Sequence, residues 1–282
     1  MSERKTRTKW REGGGGEAFY VYCVGERAGL ARAMGEGEAP PDIEGGAGLE
    51  LVEKGSLAAV ASPVPLSAYG EETLRERVSD AGWMAARALR HERVVEHFSR
   101  RAGVVPLRFG AIYLRRDSIA RALEERAGQL LAAVERLAGR EEWGVNVYVG
   151  RAALREGVGR VSARLREMEE LAAAAQPGQA YLLRKKIDSA RDEEARAAVK
   201  RVPVEVEAGL GAESDGAVRL RALKGEAGEH GEMVARFAFL VARERFENFR
   251  AAAERLAEEH APLGFRFELT GPWPAYNFVA DL

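Results

Sequence analysis

The side chains best equipped for chemistry in this 282-residue chain are four histidines, His91, His97, His230 and His260, and one cysteine, Cys23. His91 and His97 stand six residues apart in His91-Glu92-Arg93-Val94-Val95-Glu96-His97. On a helix that spacing turns the two imidazoles about 120° away from each other, unlike the i, i+4 pair that shares a zinc ion. A pair on a helix surface is the simpler expectation. His230 falls in the glycine-rich loop Gly225 to Gly231, and His260 at a helix end, where a positive charge would suit the helix dipole. Cys23 alone forms neither an intramolecular disulfide nor a cysteine metal cluster, and in the alternating run Phe19 to Val24 it reads as a small buried thiol.

Other arrangements carry no stronger signal. Gly45-Gly-Ala-Gly48 lacks dinucleotide-binding spacing and precedes a strand, and no Gly-Lys-Ser/Thr phosphate loop occurs. Ser62 and Ser67 flank a proline-rich turn, outside any Gly-x-Ser-x-Gly elbow. Glu124-Glu125, Glu141-Glu142 and Glu258-Glu259 read as solvated helix faces. Arg184-Lys185-Lys186, followed by Asp188, Asp192, Glu193 and Glu194, reads as a salt-bridged face. These residues call for no cofactor and no metal, and they point away from an enzyme. Arg108, set between Leu107 and Phe109 in an apolar run, must either reach solvent or be buried with a carboxylate.

Composition narrows the partners. The chain carries 43 Lys and Arg against 44 Asp and Glu, so no global positive charge exists for a phosphate backbone, and nucleic acid is not an expected partner. Tyr20 and Tyr22 on one strand could still imitate an aromatic platform for bases. No apolar run approaches the ~18 residues of a membrane span, and no membrane partner is expected. With 46% hydrophobic residues the chain has material for two domains.

The elements that must position these residues follow from periodicity. Residues 1–16, basic and then Gly13-Gly-Gly-Gly16, read as a disordered arm. Ala18 to Val24 is a strand and Gly35 to Gly48 a loop. Leu49 to Glu53 and Leu57 to Ala61 form a hairpin across Gly55, broken off by Ser62-Pro63-Val64-Pro65. A helix is expected from Glu71 to Arg101, with Gly82 as the point where it can split in two and Leu74, Val78, Ala81, Ala85, Leu89 and Phe98 on its apolar face. Val104 to Phe109 is an edge strand because of Pro106. The next helix, capped by Asp117 or Ser118, buries Ile119, Leu123, Leu130, Val134 and Leu137 and stops at Gly139. Further on come a strand at Val145 to Val149, helices at Arg151 to Ala175 and Gln179 to Lys200, and strands at Ala217 to Leu223 and Met233 to Val241. A helix from Glu244 to Glu259 and a strand from Phe265 to Thr270 complete the order. The fold class is α+β in two domains. Residues 17–140 form a small sheet with helices, and 141–282 form a βαββαβ ferredoxin-like domain with an extra helix in its first crossover.

Near the end of the sequence stands Gly271-Pro272-Trp273-Pro274-Ala275-Tyr276-Asn277-Phe278, where two prolines fix the backbone around an indole, expected to stop the strand and pack Trp273 into the core. This ending and Val104-Val105-Pro106-Leu107-Arg108-Phe109-Gly110 together resemble the GvpF/GvpL family of gas vesicle proteins, which carries a "PLRFG" segment and an "LTGPWPxYxF" ending. Phe19-Tyr-Val-Tyr22, Ala58 to Pro63, His91-Glu92, Glu142-Trp143-Gly144-Val145 and Tyr181 to Arg184 follow in the family's order, over roughly residues 18 to 280. Ala111 stands where threonine is more usual and Asn146 where lysine is common. The resemblance implies a minor accessory protein of the gas vesicle, within the cytoplasm, that nucleates assembly by binding the major shell protein and other accessory proteins. Arg108, Phe109, Pro272, Trp273, Pro274 and Tyr276 are its expected partner-binding residues. Composition agrees on one point: 31% charged residues and a mean hydropathy of −0.30 do not suit a wall that must exclude water. The alternative is a ligand-binding regulator or small enzyme on ferredoxin-like domains.

Overall fold

The alternating run after Ala18 folds as a strand, β1 (Glu17–Glu26), in a computed structural model that describes residues 16–77, 79–222 and 231–279. Residues 1–15 of the expected arm, Val78, Leu223 and His230 lie outside the described residues. The described residues fall into two units, one running to Gly139 and including those from Pro274 on, the other Arg140–Trp273. The segment after Trp273, placed by its sequence position in a C-terminal domain, therefore belongs with the first unit.

In the first unit β1 is followed by α1 (Arg27–Gly35), a helix that the sequence reading omits, then β2 (Glu50–Lys54) and β3 (Leu57–Pro65), joined by Gly55 at φ +61 as the hairpin requires. Ser62 to Pro65 does not break the strand off. β2 pairs β3 only as far as Ala61, while β1 pairs it to Pro65. The Leu66 N–H points to β1, bonding Gly16 O at 2.9 Å, so Pro63 and Pro65, of opposite parity, turn their missing N–H to the side β2 leaves open.

A short α2 (Leu66–Tyr69) comes first, and the helix expected from Glu71 to Arg101 is split in two, α3 (Glu71–Arg77) and α4 (Ala81–Ser99). The break before Gly82 is fixed by Asp80, whose carboxylate caps the Trp83 N–H at 3.0 Å. The buried face of α4 is His91, Val94, Val95 and Phe98, and Leu89 is exposed. β4 (Val104–Pro106) and β5 (Ile112–Tyr113) pair successive stretches of the same edge of β1. α5 (Arg116–Glu125) starts two or three residues earlier than expected, which puts Asp117 in its first turn rather than at its cap, and α6 (Ala127–Leu137) follows. Ile119, Leu123, Leu130, Val134 and Leu137 are all buried, and Gly139 closes the element at φ +70. The sheet order is β2-β3-β1-β4, with β5 also on β1.

The second unit opens with β6 (Arg140–Val149), longer than expected because Glu141 and Glu142 are strand residues, with Glu142 buried rather than on a helix face. Three helices follow, α7 (Arg151–Val161), α8 (Ala163–Ala174) and α9 (Pro177–Gly211). Pro177 starts α9, where its missing N–H costs nothing. Then come β7 (Gly216–Leu220), β8 (Glu232–Ala242), α10 (Phe246–His260) and β9 (Phe265–Trp273). All pairings are antiparallel, in the order β7-β8-β6-β9. Val145, Val147, Phe237, Phe239 and Val241 form one core with Val202, Val206, Leu210 and Phe249 from the helices. The arginines of α7 and α8 take the acids of α9: Arg155 pairs Asp188 and Asp192, and Arg164 pairs Glu193. Arg184, Lys185 and Lys186 make no ion pair among the described residues, so the salt bridging expected of them lies elsewhere.

Gly157 lets α7 touch the turn after α10: a Cβ there would sit 2.5 Å from Pro262 O and 2.7 Å from Leu263 Cα. Alanine would gain at most ~1 kcal/mol of helix propensity, against about 1–3 kcal/mol for overpacking. Gly157→Ala is therefore expected to lower stability by about 1–2 kcal/mol in urea denaturation, and an unchanged or higher midpoint would show that α7 shifts freely.

Candidate functional site

His91 is the centre of a buried polar cluster in the first unit. It is 3% exposed, not the surface histidine expected from its helix. Its Nε2 lies 3.1 Å from Leu107 O and its Nδ1 2.9 Å from the Tyr20 hydroxyl. A carbonyl can only accept, so Nε2 carries the proton and Tyr20 donates to Nδ1. The Tyr20 oxygen in turn accepts the Gly110 N–H at 3.1 Å. Burial drives the His91 pKa down from 6.5 to about 4, the Leu107 carbonyl opposing it, so the ring is neutral at pH 7. Aromatic faces enclose it: Tyr22 stacks at 5.8 Å between centroids, and Phe109 meets it edge-on at 5.9 Å.

The loop between β4 and β5 is shaped by this cluster. Leu107 N bonds Tyr22 O at 2.9 Å and Val21 N bonds Ala111 O at 2.8 Å, so the chain leaves β1 only for Arg108, Phe109 and Gly110. Phe109 turns inward and Arg108 outward, and Gly110 closes the excursion at φ +94, which a side chain would resist. Tyr276 arrives from the chain end, donating to Glu92 Oε2 at 3.1 Å and lying 3.2 Å from His91 Nε2. Burial raises the Glu92 carboxyl pKa, the Tyr276 hydroxyl pulling it back and Glu96 adding to the rise.

Between these segments opens a cleft of about 290 Å³, lined by Ala88, His91, Glu92, Arg108, Phe109 and Tyr276 with Asn277. It has apolar walls, a half-buried acid and an exposed guanidinium that makes no ion pair among the described residues. Behind it a second polar cluster fixes the long loop: Asp42 accepts the Glu44, Gly46 and Gly48 N–H groups at 2.9–3.0 Å, and Glu44 takes a fork from Arg87 and the hydroxyl of Tyr69. The Arg87 guanidinium also lies 4.1 Å over the Trp83 ring. Nothing in this cluster pairs a nucleophile with a free base, because its imidazole, His91, uses both nitrogens structurally. Among the described residues no three His, Cys, Asp or Glu side chains gather as for a metal. No helix among them is long and apolar enough to cross a membrane.

The sequence of residues 18–280 matches the family model "Gas vesicle synthesis protein GvpL/GvpF". The chain belongs to the GvpL/GvpF family. It is 31% identical to gas vesicle protein L of Streptomyces sp. (strain CB03234) over 83% of this chain and 84% of that protein, and 28% identical to gas vesicle protein F of the same strain over 92% and 98%. Its fold resembles the crystal structure of GvpF from Anabaena sp. PCC7120, with a TM-score of 0.62 at 14% identity over 93% of this chain and 96% of that one. GvpF from Microcystis aeruginosa gives 0.60 at 12% identity, over 93% and 98%.

Most of the GvpL/GvpF landmarks in the first unit meet at the His91 cluster: Tyr20 and Tyr22 of β1, His91 and Glu92 of α4, Leu107 to Gly110, and Tyr276. Of the six residues expected to bind partners, Arg108, Phe109 and Tyr276 share the cleft, and Pro274 is buried in the same unit. Pro272 and Trp273 belong to the second unit. There the strand does not stop at Gly271. After a register shift it continues to pair Trp273 with Glu142, and the indole is 47% exposed rather than packed in the core. Its side chain alternates outward with Arg266 and Glu268, which leaves the indole N–H only Thr270 Oγ1, at 3.4 Å. Tyr20 and Tyr22 are fully buried, so they offer no platform to a base. Ser62 is buried as the partner of the Tyr22 hydroxyl at 2.7 Å, Cys23 is the buried thiol expected, and His260 is buried at the end of α10. Sequence reasoning misses Glu92 as a lining acid and Asp42 as a loop organiser. The signal for Asp42 was present in Asp42-Ile-Glu-Gly-Gly, an acid two and four residues before backbone N–H groups that glycine leaves free to turn toward it.

The folded imidazole titrates near 4 and the unfolded one near 6.5, so the unfolded chain binds more protons between those values. Stability from neutral His91 is complete above pH 6.5 and is lost as pH falls toward 4, by up to ~3 kcal/mol. Glu92, whose pKa is raised, works in the opposite sense as it protonates. Denaturation midpoints across that window are expected to fall in the parent, and to fall less steeply in His91→Gln; equal slopes would remove His91 as the cause.

Proposed function

We propose that this chain is a minor accessory factor of gas vesicle assembly that binds the major shell protein and other accessory proteins, within the cytoplasm, and that it does so by surface recognition without catalysis. The observation that carries the reading is the family match from residue 18 to 280, which spans both units. Two surface features support recognition. The cleft beside His91 presents Arg108, unpaired among the described residues, over the apolar walls of Phe109 and Tyr276. At the end of β9, Trp273 exposes 47% of a side chain of the type that dominates protein interfaces. We assign Arg108, Phe109 and Tyr276 to one partner-binding patch and Pro272 and Trp273 to another, and leave out Pro274, which is buried in the first unit. The second unit reads as a ferredoxin-like domain: βαββαβ in chain order, with its first crossover enlarged from one helix to three.

Co-expression of the tagged chain with the major shell protein is expected to keep the shell protein soluble and to elute it with the tag. Arg108→Glu and Trp273→Ala remove exposed side chains and leave the folds intact, and each is expected to weaken retention about tenfold, or ~1.4 kcal/mol. Aggregation of the shell protein away from the chain in every condition would refute direct holding. Unchanged retention in both variants would exclude these two patches.

A further inference from the structure

We infer that the cleft between α7 and α9 is a docking site for an acidic amphipathic helix of a partner protein. The cleft has a volume of about 550 Å³, and its floor is the hydrophobic core of the second unit itself. Val149 and Leu154, 2% and 5% exposed, belong to that core, and Val199 and Val234 pack against it. The wall of α9 carries Arg196 and Lys200, four residues apart and so on one face of the helix.

The charge balance around this floor is uneven in a specific way. The two acids that line the cleft are already taken: Asp192 by Arg155 at 3.2 Å and Glu232 by Arg151 at 3.3 Å. Arg196 and Lys200 have no ion pair among the described residues, and both are exposed. Two like charges spaced i, i+4 work against the helix that bears them, so nothing in the folding of α9 calls for the pair. An occupant with apolar side chains for the floor and carboxylates for Arg196 and Lys200 would satisfy both features. Because the cleft runs between two helices, away from the open edges of β7 and β9, the fitting element is a helix laid into a groove rather than an added strand. This inference does not depend on the patches at Arg108 and Trp273.

The test uses the full chain and a fluorescein-labelled, acetylated peptide of about fourteen residues that alternates leucine and glutamate at helical spacing, with a matched peptide carrying lysine for glutamate. Anisotropy titration at ~0.1 M salt is expected to show saturable binding of the glutamate peptide and none of the lysine peptide. Arg196→Glu/Lys200→Glu is expected to weaken binding about tenfold and the Arg196→Gln/Lys200→Gln pair about threefold, with unchanged circular dichroism. Methyl signals of Val149, Leu154, Val199 and Val234 should move along the titration. Equal binding of the two peptides, an affinity within twofold after charge reversal, or unmoved methyls would overturn the proposal. So would saturable binding of sodium dodecanoate without binding of the peptide, which would make the cleft a site for a small amphipathic anion.

Discussion

Taking an imidazole out of water costs least when it is neutral and both of its nitrogens are bonded, and the first unit is arranged around meeting that condition for His91. β1 supplies the hydroxyl for Nδ1, the loop after β4 supplies the carbonyl for Nε2, and the chain end brings Tyr276 against the same nitrogen. Leu107 is held to β1 by its own N–H, and the Tyr20 hydroxyl is oriented by the Gly110 N–H. Segments 71 and 185 residues away from their partners are thereby tied to a single ring. The excursion Arg108-Phe109-Gly110 exists because β4 and β5 must share one edge of β1 while Leu107 reaches the imidazole. A structural requirement thus places an arginine in solvent at the mouth of a cleft.

The second unit is held by one apolar core, in which Val202, Val206, Leu210 and Phe249 of the helices pack on Val145, Phe237 and Phe239 of the sheet. At two points around that core the chain comes too close for a side chain. A Cβ at Gly264, which has φ +82, would lie 2.8 Å from the Ala153 Cβ, and one at Gly144 would lie 2.5 Å from Thr270 Oγ1. Ion pairs among α7, α8 and α9 are mostly exposed and contribute little each. Their effect is on register: by consuming the acids of α9 they leave Arg196 and Lys200 as uncompensated charge beside an apolar floor.

Periodicity made the buried faces of α5 and α6 legible, because there the apolar spacing coincides with the face that is covered. It failed where tertiary neighbours decide. His91 looked like a surface residue because neutrality and bonding come from Tyr20 and Leu107, neither of which is local. Glu142 looked solvated because its strand was read as a helix end, and β3 looked broken because its prolines face the side that β2 leaves open. Trp273 was expected inside on account of its size, yet strand alternation after the register shift turns it out. The cleft residues Arg108, Phe109 and Tyr276 were legible through motif likeness alone. Their conjunction with Glu92 was not, since no local pattern brings α4 and the chain end together.

The shared ending of the family therefore divides into parts with different physical duties. Trp273 finishes a strand of the second unit with its ring in solvent, and Pro274 begins the segment that returns to the first unit, where Tyr276 is bonded to Glu92 beside His91. Pro272 and Pro274 restrict the backbone at the junction, which limits the conformations the unfolded segment gives up when Tyr276 is seated. A change at Tyr276 disturbs a buried hydrogen bond and must alter the stability of the first unit before it alters recognition. Arg108 and Trp273 are both exposed, and neither joins a buried polar cluster. The tyrosine is thus a positioning residue for the cleft, and the arginine and tryptophan are the side chains through which an effect on partners can be separated from an effect on folding.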